Sequence, residues 1–390
     1  MSFDLEKIRA ETPGVQHVPH LIASGAGLMP QPVIDAIKDH IDLEARIGGY
    51  EAAAQEAERL DGVYDSIADL IGAKPQEIAL VENATVAWCQ AFYALPFQPG
   101  DRILTSEAEY AANYVAFLQR QKRDGIVIDV IPNDETGALD IAALEAMIDD
   151  RTALIAITWI PTNGGLVNPA AAVGKIARAH EIPCLLDACQ AVGQMPVDVA
   201  GLGCDFLSAT GRKFLRGPRG TGFLYVREEL IETLEPPVID HFAAPWVSRD
   251  IYELRPDARR FENWENAYAL RAGLGAAADY ATAIGLKAIQ KRAWSLANGL
   301  RERLRSLPGA TVRDLGSEQC AIVSFTLDGH EPRAVVAALR KQGINIGTSD
   351  PASTRLDAEA RNLPVLLRAA PHYYNTDDEL DRLIHALKKL

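Results

Sequence analysis

Ile182-Pro183-Cys184-Leu185-Leu186-Asp187-Ala188-Cys189-Gln190 and Asp205-Phe206-Leu207-Ser208-Ala209-Thr210-Gly211-Arg212-Lys213 decide how this chain is read. Each contains a short apolar run of the kind that a strand buried on both faces requires. A carboxylate, Asp187, closes the first run, and an amine, Lys213, follows the second. In an open parallel sheet, ligands collect at the carboxyl ends of the strands. The two stretches therefore place Asp187 and Lys213 at one ligand edge. Alone, either residue would read as a cap or a surface group.

The same rhythm continues on both sides. Apolar runs at Ile78–Val81, Arg102–Thr105, Ile126–Ile131, Ala153–Thr158 and Gly222–Val226 read as further strands. Helical patterns at Ala84–Leu95, Ala111–Lys122, Asp140–Ile148 and Pro169–His180 separate several of them. Such alternation predicts crossover connections and a mainly parallel sheet covered on both faces. After Val226 the pattern changes. Two helical stretches, about Asn266–Ile284 and Leu286–Leu307, lead to a second α/β segment: strand Ala321–Leu327, helix Glu331–Gln342, strand Val365–Ala369 and helix Asp377–Leu387.

Composition narrows the function classes. The 390 residues are 48% hydrophobic, enough for a large core, and carry a net charge of −14. Nucleic-acid binding needs clustered Lys and Arg, so it is not expected. No apolar run is long enough for a membrane span, and Met1–Lys7 does not read as a secretory signal. The five cysteines are odd in number and contain no CxxC pair, which argues against a disulfide framework or a zinc site and fits a cytoplasmic setting. Cys184 and Cys189 read as small buried residues, and Cys320, at the head of an apolar strand, reads as buried too.

An amine and a carboxylate at one sheet edge suit pyridoxal 5′-phosphate. The amine forms an imine with the cofactor, and the carboxylate keeps the pyridine nitrogen protonated. A phosphate anchor is visible in Glu82-Asn83-Ala84-Thr85, where a helix start offers free N–H groups and Thr85 adds a hydroxyl. Thr210 and Arg212 flank the lysine with a hydroxyl and a guanidinium.

The stretch from Asp187-Ala188-Cys189-Gln190 through Thr210-Gly211-Arg212-Lys213-Phe214-Leu215-Arg216-Gly217 to Gly222 resembles the class V aminotransferases, a family that includes cysteine desulfurases, epimerase-like proteins and C–S lyases. The resemblance runs from about Ala23 to the C-terminus. It implies an α/β fold of the aspartate-aminotransferase-like type (fold type I). The divisions expected are an N-terminal segment (1–30), a large PLP-binding domain (31–265) and a small C-terminal α/β domain (266–390), with helices 31–72 packed on the small lobe or a partner. It also implies that Lys213 is the Schiff-base lysine, that Asp187 pairs with the ring nitrogen, and that Gln190 reaches the ring hydroxyl. Ala84, Thr85, Thr210 and Arg212 fall at phosphate positions. Tyr110 falls where desulfurases stack a His on the ring, Thr162 where many members carry an Asn, and Arg368 where the substrate carboxylate is gripped. A small amino-acid substrate and a homodimer are implied as well.

The chain departs from the desulfurases in two places. Their mobile, sulfur-accepting cysteine belongs in a stretch that here reads Gly343-Ile344-Asn345-Ile346-Gly347-Thr348-Ser349-Asp350-Pro351-Ala352-Ser353-Thr354-Arg355-Leu356-Asp357, with no cysteine. Arg260-Phe261-Glu262-Asn263-Trp264 also lacks the Gly-Thr whose Thr reaches the neighbouring subunit's phosphate. Gly25–Val33 and Glu44–Glu51 instead resemble the epimerase-like and C–S lyase branch. The expected reaction is therefore β-elimination at a C–S bond. Transamination or epimerisation is the alternative, cysteine desulfuration ranks below both, and a non-catalytic protein on the same fold ranks last.

Overall fold

In the computed structural model, which describes residues 3–390, seven strands form the central sheet. They are β1 (Ile78–Val81), β2 (Arg102–Ser106), β3 (Val127–Ile131), β4 (Thr152–Thr158), β5 (Cys184–Asp187), β6 (Phe206–Thr210) and β7 (Gly222–Val226). Their order is β1-β7-β6-β5-β4-β2-β3, and β2 through β6 run parallel. Strand β7 runs antiparallel to both of its neighbours. Strands β5, β6 and β7 are buried along their whole length. That explains why their sequences are continuous apolar runs rather than alternating ones.

Local capping follows from sequence. The Asn83 side chain accepts from Val86 N at 3.0 Å and starts the helix Ala84–Ala94. The Asp140 side chain caps Ile141–Met147, and Thr376 with Glu379 forms a capping box at Asp377–Leu387. Gly222 is required where β7 passes the first of these helix starts. A Cβ there would lie 2.7 Å from the Asn83 carbonyl carbon and 2.9 Å from Ala84 N.

A second sheet, wholly antiparallel, has the order β10-β11-β13-β12, with β10 Ala310–Val312, β11 Val323–Leu327, β12 Gly347–Ser349 and β13 Leu366–Ala369. Between the two sheets in sequence lie an exposed hairpin, β8 (Trp246–Ser248) with β9 (Ile251–Tyr252), and the helices Tyr268–Ile284 and Leu286–Arg305. The helix Tyr268–Ile284 packs against Gln31–Ile47 and Ala57–Ile71. The N-terminal segment ties the layers together. It bridges the second sheet through His20–Asn345 and Ile22–Ala370, and Gly27 N then donates to Arg212 O at 2.8 Å.

The expected elements are present, with shifted ends and some additions. The helices expected over 31–72 are three, Gln31–Ile47, Gly49–Gln55 and Ala57–Ile71. Strands β8, β9, β10 and β12 have only two or three residues each, too short for a period to be read.

Candidate active site

Strand β5 ends at Asp187, beside Thr158 on β4 and Ser208 on β6. The Asp187 carboxylate is buried, at 5% exposure. Its Oδ1 accepts from Cys189 N at 2.9 Å and its Oδ2 from Asn113 Nδ2 at 3.0 Å. One turn on, Gln190 Nε2 donates to the Ser24 carbonyl at 3.2 Å and contacts Thr162 Oγ1 at 3.4 Å. Gln190 Oε1 is buried with no partner.

Lys213 stands on the loop after β6, and that loop is clamped from below. Arg216, in the left-handed region at φ 64, is fully buried without a carboxylate partner among the described residues. Its guanidinium donates to Leu28 O, Tyr373 Oη and Thr12 Oγ1, each at 2.6 Å, and lies over the rings of Tyr373 and Tyr374. Aromatic faces favour a cation placed this way. His372 Nε2 meets the Phe214 carbonyl at 2.7 Å, and burial holds its imidazole neutral. Lys213 itself is half-buried. Loss of solvent lowers the pKa of its amine, Cys189 and Asp187 oppose that, and Arg212 and Arg368 add to it.

Arg368 reaches the same place from β13. Its Nη1 donates to Thr162 Oγ1 at 2.5 Å and to the Thr162 carbonyl at 2.7 Å, while its Nε is buried with no partner. Burial pushes the guanidinium down to about 10, against the opposing effect of Tyr110. Tyr110 caps the helix Ala111–Asp124. Its hydroxyl pKa is raised by burial and then by Asp187 and Cys189. The residue is still 37% exposed.

The remaining expected residues lie at the end of β6, just after it, and at the helix start Ala84–Thr85. Thr210, buried, donates to the Thr221 carbonyl at 3.2 Å, and Arg212 donates to the Gly25 carbonyl. Asn83 and Thr85 are exposed at the helix start, and Ala84 is half-buried. The hydroxyl of Thr210 and part of Arg212 are thus engaged by backbone, whereas the Ala84–Thr85 end is open.

Sequence reasoning left three residues at this site without a role. Cys189, read as merely buried, is half-buried beside Asp187, and burial followed by that carboxylate raises its thiol pKa. Glu109 and Asn113 form a buried polar bridge to Asp187. They look like surface positions in sequence, because only the meeting of β2, β4 and β5 buries them. Among the described residues no cluster of His, Cys, Asp and Glu could hold a metal.

The donors and acceptors suit a pyridoxal phosphate. Gln190 Oε1 and Arg368 Nε are buried and unpartnered, a placement that costs free energy unless a ligand fills it. A lowered amine, a carboxylate and an open helix start complete the set.

The aminotransferase class V family model matches residues 20–383. A cysteine desulfurase of Yersinia pestis (strain Pestoides F) is 33% identical, covering all of this chain and 99% of its own length. The apo structure of a cysteine desulfurase from Thermococcus onnurineus NA1 superposes with a TM-score of 0.92 at 27% identity, over 98% of this chain and 97% of that one. The cystine C–S lyase C-DES, in complex with its reaction product cysteine persulfide, shares the fold at a TM-score of 0.88 and 23% identity, over 97% and 99% of the two chains. With the family match running through almost the whole chain and across both sheets, this protein belongs to the class V aminotransferases, the pyridoxal-phosphate-dependent enzymes of fold type I.

Proposed function

We propose that this enzyme cleaves a C–S bond of a small amino acid by β-elimination and releases the sulfur as a free thiol or sulfide, without a protein persulfide. The observation that carries this reading concerns the segment beside Arg368. Asp357 of that segment accepts from Asn163 Nδ2 at 2.5 Å, next to Thr162, so Pro351–Ala360 is docked against the site. It holds no cysteine. Cys320 is fully buried and its thiol is pushed up to about 12 by burial. Cys189 lies at the site, but burial and Asp187 keep it a thiol, which is a poor nucleophile. The names of the relatives support a C–S bond as the target, and the missing cysteine supports release without a protein persulfide.

When bound, pyridoxal phosphate supplies the electron sink for a substrate carbanion. Asp187 would face the ring nitrogen and hold a proton there, and Gln190 would face the ring hydroxyl. Ala84 and Thr85, with Thr210 and Arg212, would hold the phosphate, and Tyr110 would cover the ring. Arg368, set by Thr162, would orient the substrate carboxylate as a fork. Lys213 Nζ, whose pKa burial lowers, would take the substrate α-proton as general base. The overall reaction is R–S–CH2–CH(NH3+)–COO− plus water giving R–SH, pyruvate and ammonium.

The reading includes a cytoplasmic homodimer. Trp246, Val247, Ile251 and Tyr252 of the hairpin are exposed apolar residues, which a second copy would cover. All five cysteines are free, and among the described residues no helix is long and apolar enough to cross a membrane. The test is a screen of sulfur-containing amino acids with the purified holoenzyme, following pyruvate, ammonia, thiol and alanine separately. Pyruvate, ammonia and thiol should appear in equal amounts. Alanine with protein-bound persulfide would establish desulfuration instead.

A further inference from the structure

Glu109 is a carboxylate at 3% exposure with no cation paired to it among the described residues. It lies between β2 and the helix Ala111–Asp124. Such a group is costly to bury unless donors surround it. Here five do. Oε1 accepts from Tyr110 N at 2.9 Å, Asn113 Nδ2 at 2.8 Å and Thr158 Oγ1 at 2.5 Å. Oε2 accepts from Thr158 N at 3.0 Å and Thr105 Oγ1 at 3.1 Å. Helix capping alone needs none of this, since a Ser or Asn would cap the helix at lower cost.

Asn113 explains the arrangement. Its one amide nitrogen donates to Glu109 Oε1 and to Asp187 Oδ2, so two carboxylates share the two N–H groups of one NH2. A free amide can rotate and present either its oxygen or its nitrogen. With Glu109 at the same NH2 as Asp187, turning the oxygen toward Asp187 would also set it against the Glu109 carboxylate. The NH2 is therefore held toward Asp187. Cys189 N fixes the other oxygen of Asp187, so the carboxylate is held at both ends.

We infer that Glu109 is a positioning residue for the cofactor: it locks the Asn113 amide with its NH2 on Asp187, and so fixes the carboxylate that faces the ring nitrogen. This rests on the reading of Asp187 given above. Glu109 acts through Asn113 and touches neither cofactor nor substrate.

The experiment uses apo-protein titrated with pyridoxal phosphate, and holoenzyme assayed for thiol release, in wild type, E109Q, N113A, the double variant and D187N. Melting of each apo form serves as the folding control. In E109Q, whichever way the new amide turns, its NH2 meets a backbone N–H that now donates to the carboxylate, that of Tyr110 or that of Thr158, so the side chain must leave its seat and its hold on Asn113 at unchanged volume. E109Q and N113A should each weaken cofactor binding by roughly tenfold and lower kcat by roughly tenfold, with KM within about twofold. The double variant should be no worse than the worse single one, because both act on one contact. Additive losses, or wild-type cofactor affinity and kcat in E109Q with only a lower melting temperature, would overturn the inference. If E109Q does not fold, N113A decides, because Asn113 is the only link proposed between Glu109 and Asp187: wild-type affinity and kcat there end the proposal. Wild-type behaviour in D187N would instead remove the underlying reading of Asp187, which the other variants leave untouched.

Discussion

Arg368 Nη1 lies 2.5 Å from Thr162 Oγ1 and 2.7 Å from the Thr162 carbonyl oxygen, so a residue that follows β4 in the large sheet fixes a guanidinium carried by β13 of the small one. The remaining Nε is buried and unpartnered. A buried guanidinium with unused donors is suited to a carboxylate fork. Arg368→Lys keeps the charge and loses the fork, so kcat/KM for amino-acid substrates should fall by roughly one to three orders of magnitude. Steady-state kinetics checks this, with cofactor content as control. If Arg368→Ala stays within about twofold of wild type, Arg368 is not the carboxylate clamp.

Lys213 has no alternative amine beside it among the residues described at the site. Lys213→Ala should lose the visible absorbance of bound cofactor, and borohydride should no longer attach the cofactor covalently. The fold should persist, since Arg216 and His372 clamp the loop independently. Covalent attachment after reduction of the variant, measured by mass spectrometry, would move the assignment to another lysine.

Cysteine replacements test the sulfur route. Cys320→Ser and Cys189→Ser should each retain thiol release within about an order of magnitude, since neither thiol is ionised. Abolished sulfur release in either variant, with cofactor still bound, would restore a persulfide mechanism.

Glu262 gives a pH signature separate from catalysis. It is buried, accepts from Tyr64 Oη at 2.7 Å and Leu80 N at 2.9 Å, and burial raises its carboxyl from an ordinary 4.5 to about 7, against the pull of Arg271. A carboxyl raised on folding favours the folded state fully below about pH 4.5, and that contribution is lost as pH rises through about 7. Wild type should therefore lose on the order of 2–3 kcal/mol relative to Glu262→Gln across that window. Urea melts of both proteins at pH 5 and pH 8 measure it. Parallel shifts of the two proteins would mean that Glu262 is ionised throughout.

Asp314 and Arg301 form a fully buried pair at 2.7 Å, and Asp314 also accepts from Gly165 N and Ser324 N. Removing one member leaves a buried charge alone. Asp314→Ala should cost about 3–5 kcal/mol, read from chemical denaturation. A loss below about 1 kcal/mol is what a solvated surface pair would give.

Much of this architecture was readable before any coordinates. The apolar runs of β4 to β6 and the helix start at Asn83-Ala84-Thr85 are local signals. Asp187 ends β5, Gln190 and Lys213 lie in the segments after β5 and β6, and Arg368 lies within β13; sequence by itself determined the sheet, the cofactor and the family. Sequence also showed the missing cysteine before Arg368. Tertiary structure alone decided how the edge is wired. Glu109 and Asp187 lie far apart in sequence, and so do Thr162 and Arg368; no periodicity records which partner a side chain meets across such a gap. The same holds for burial: a Glu between a strand and a helix reads as solvated until β4 and β5 close over it. The reason is physical, since strand and helix signals come from neighbours along the chain. Desolvation and hydrogen-bond pairing come from neighbours in space.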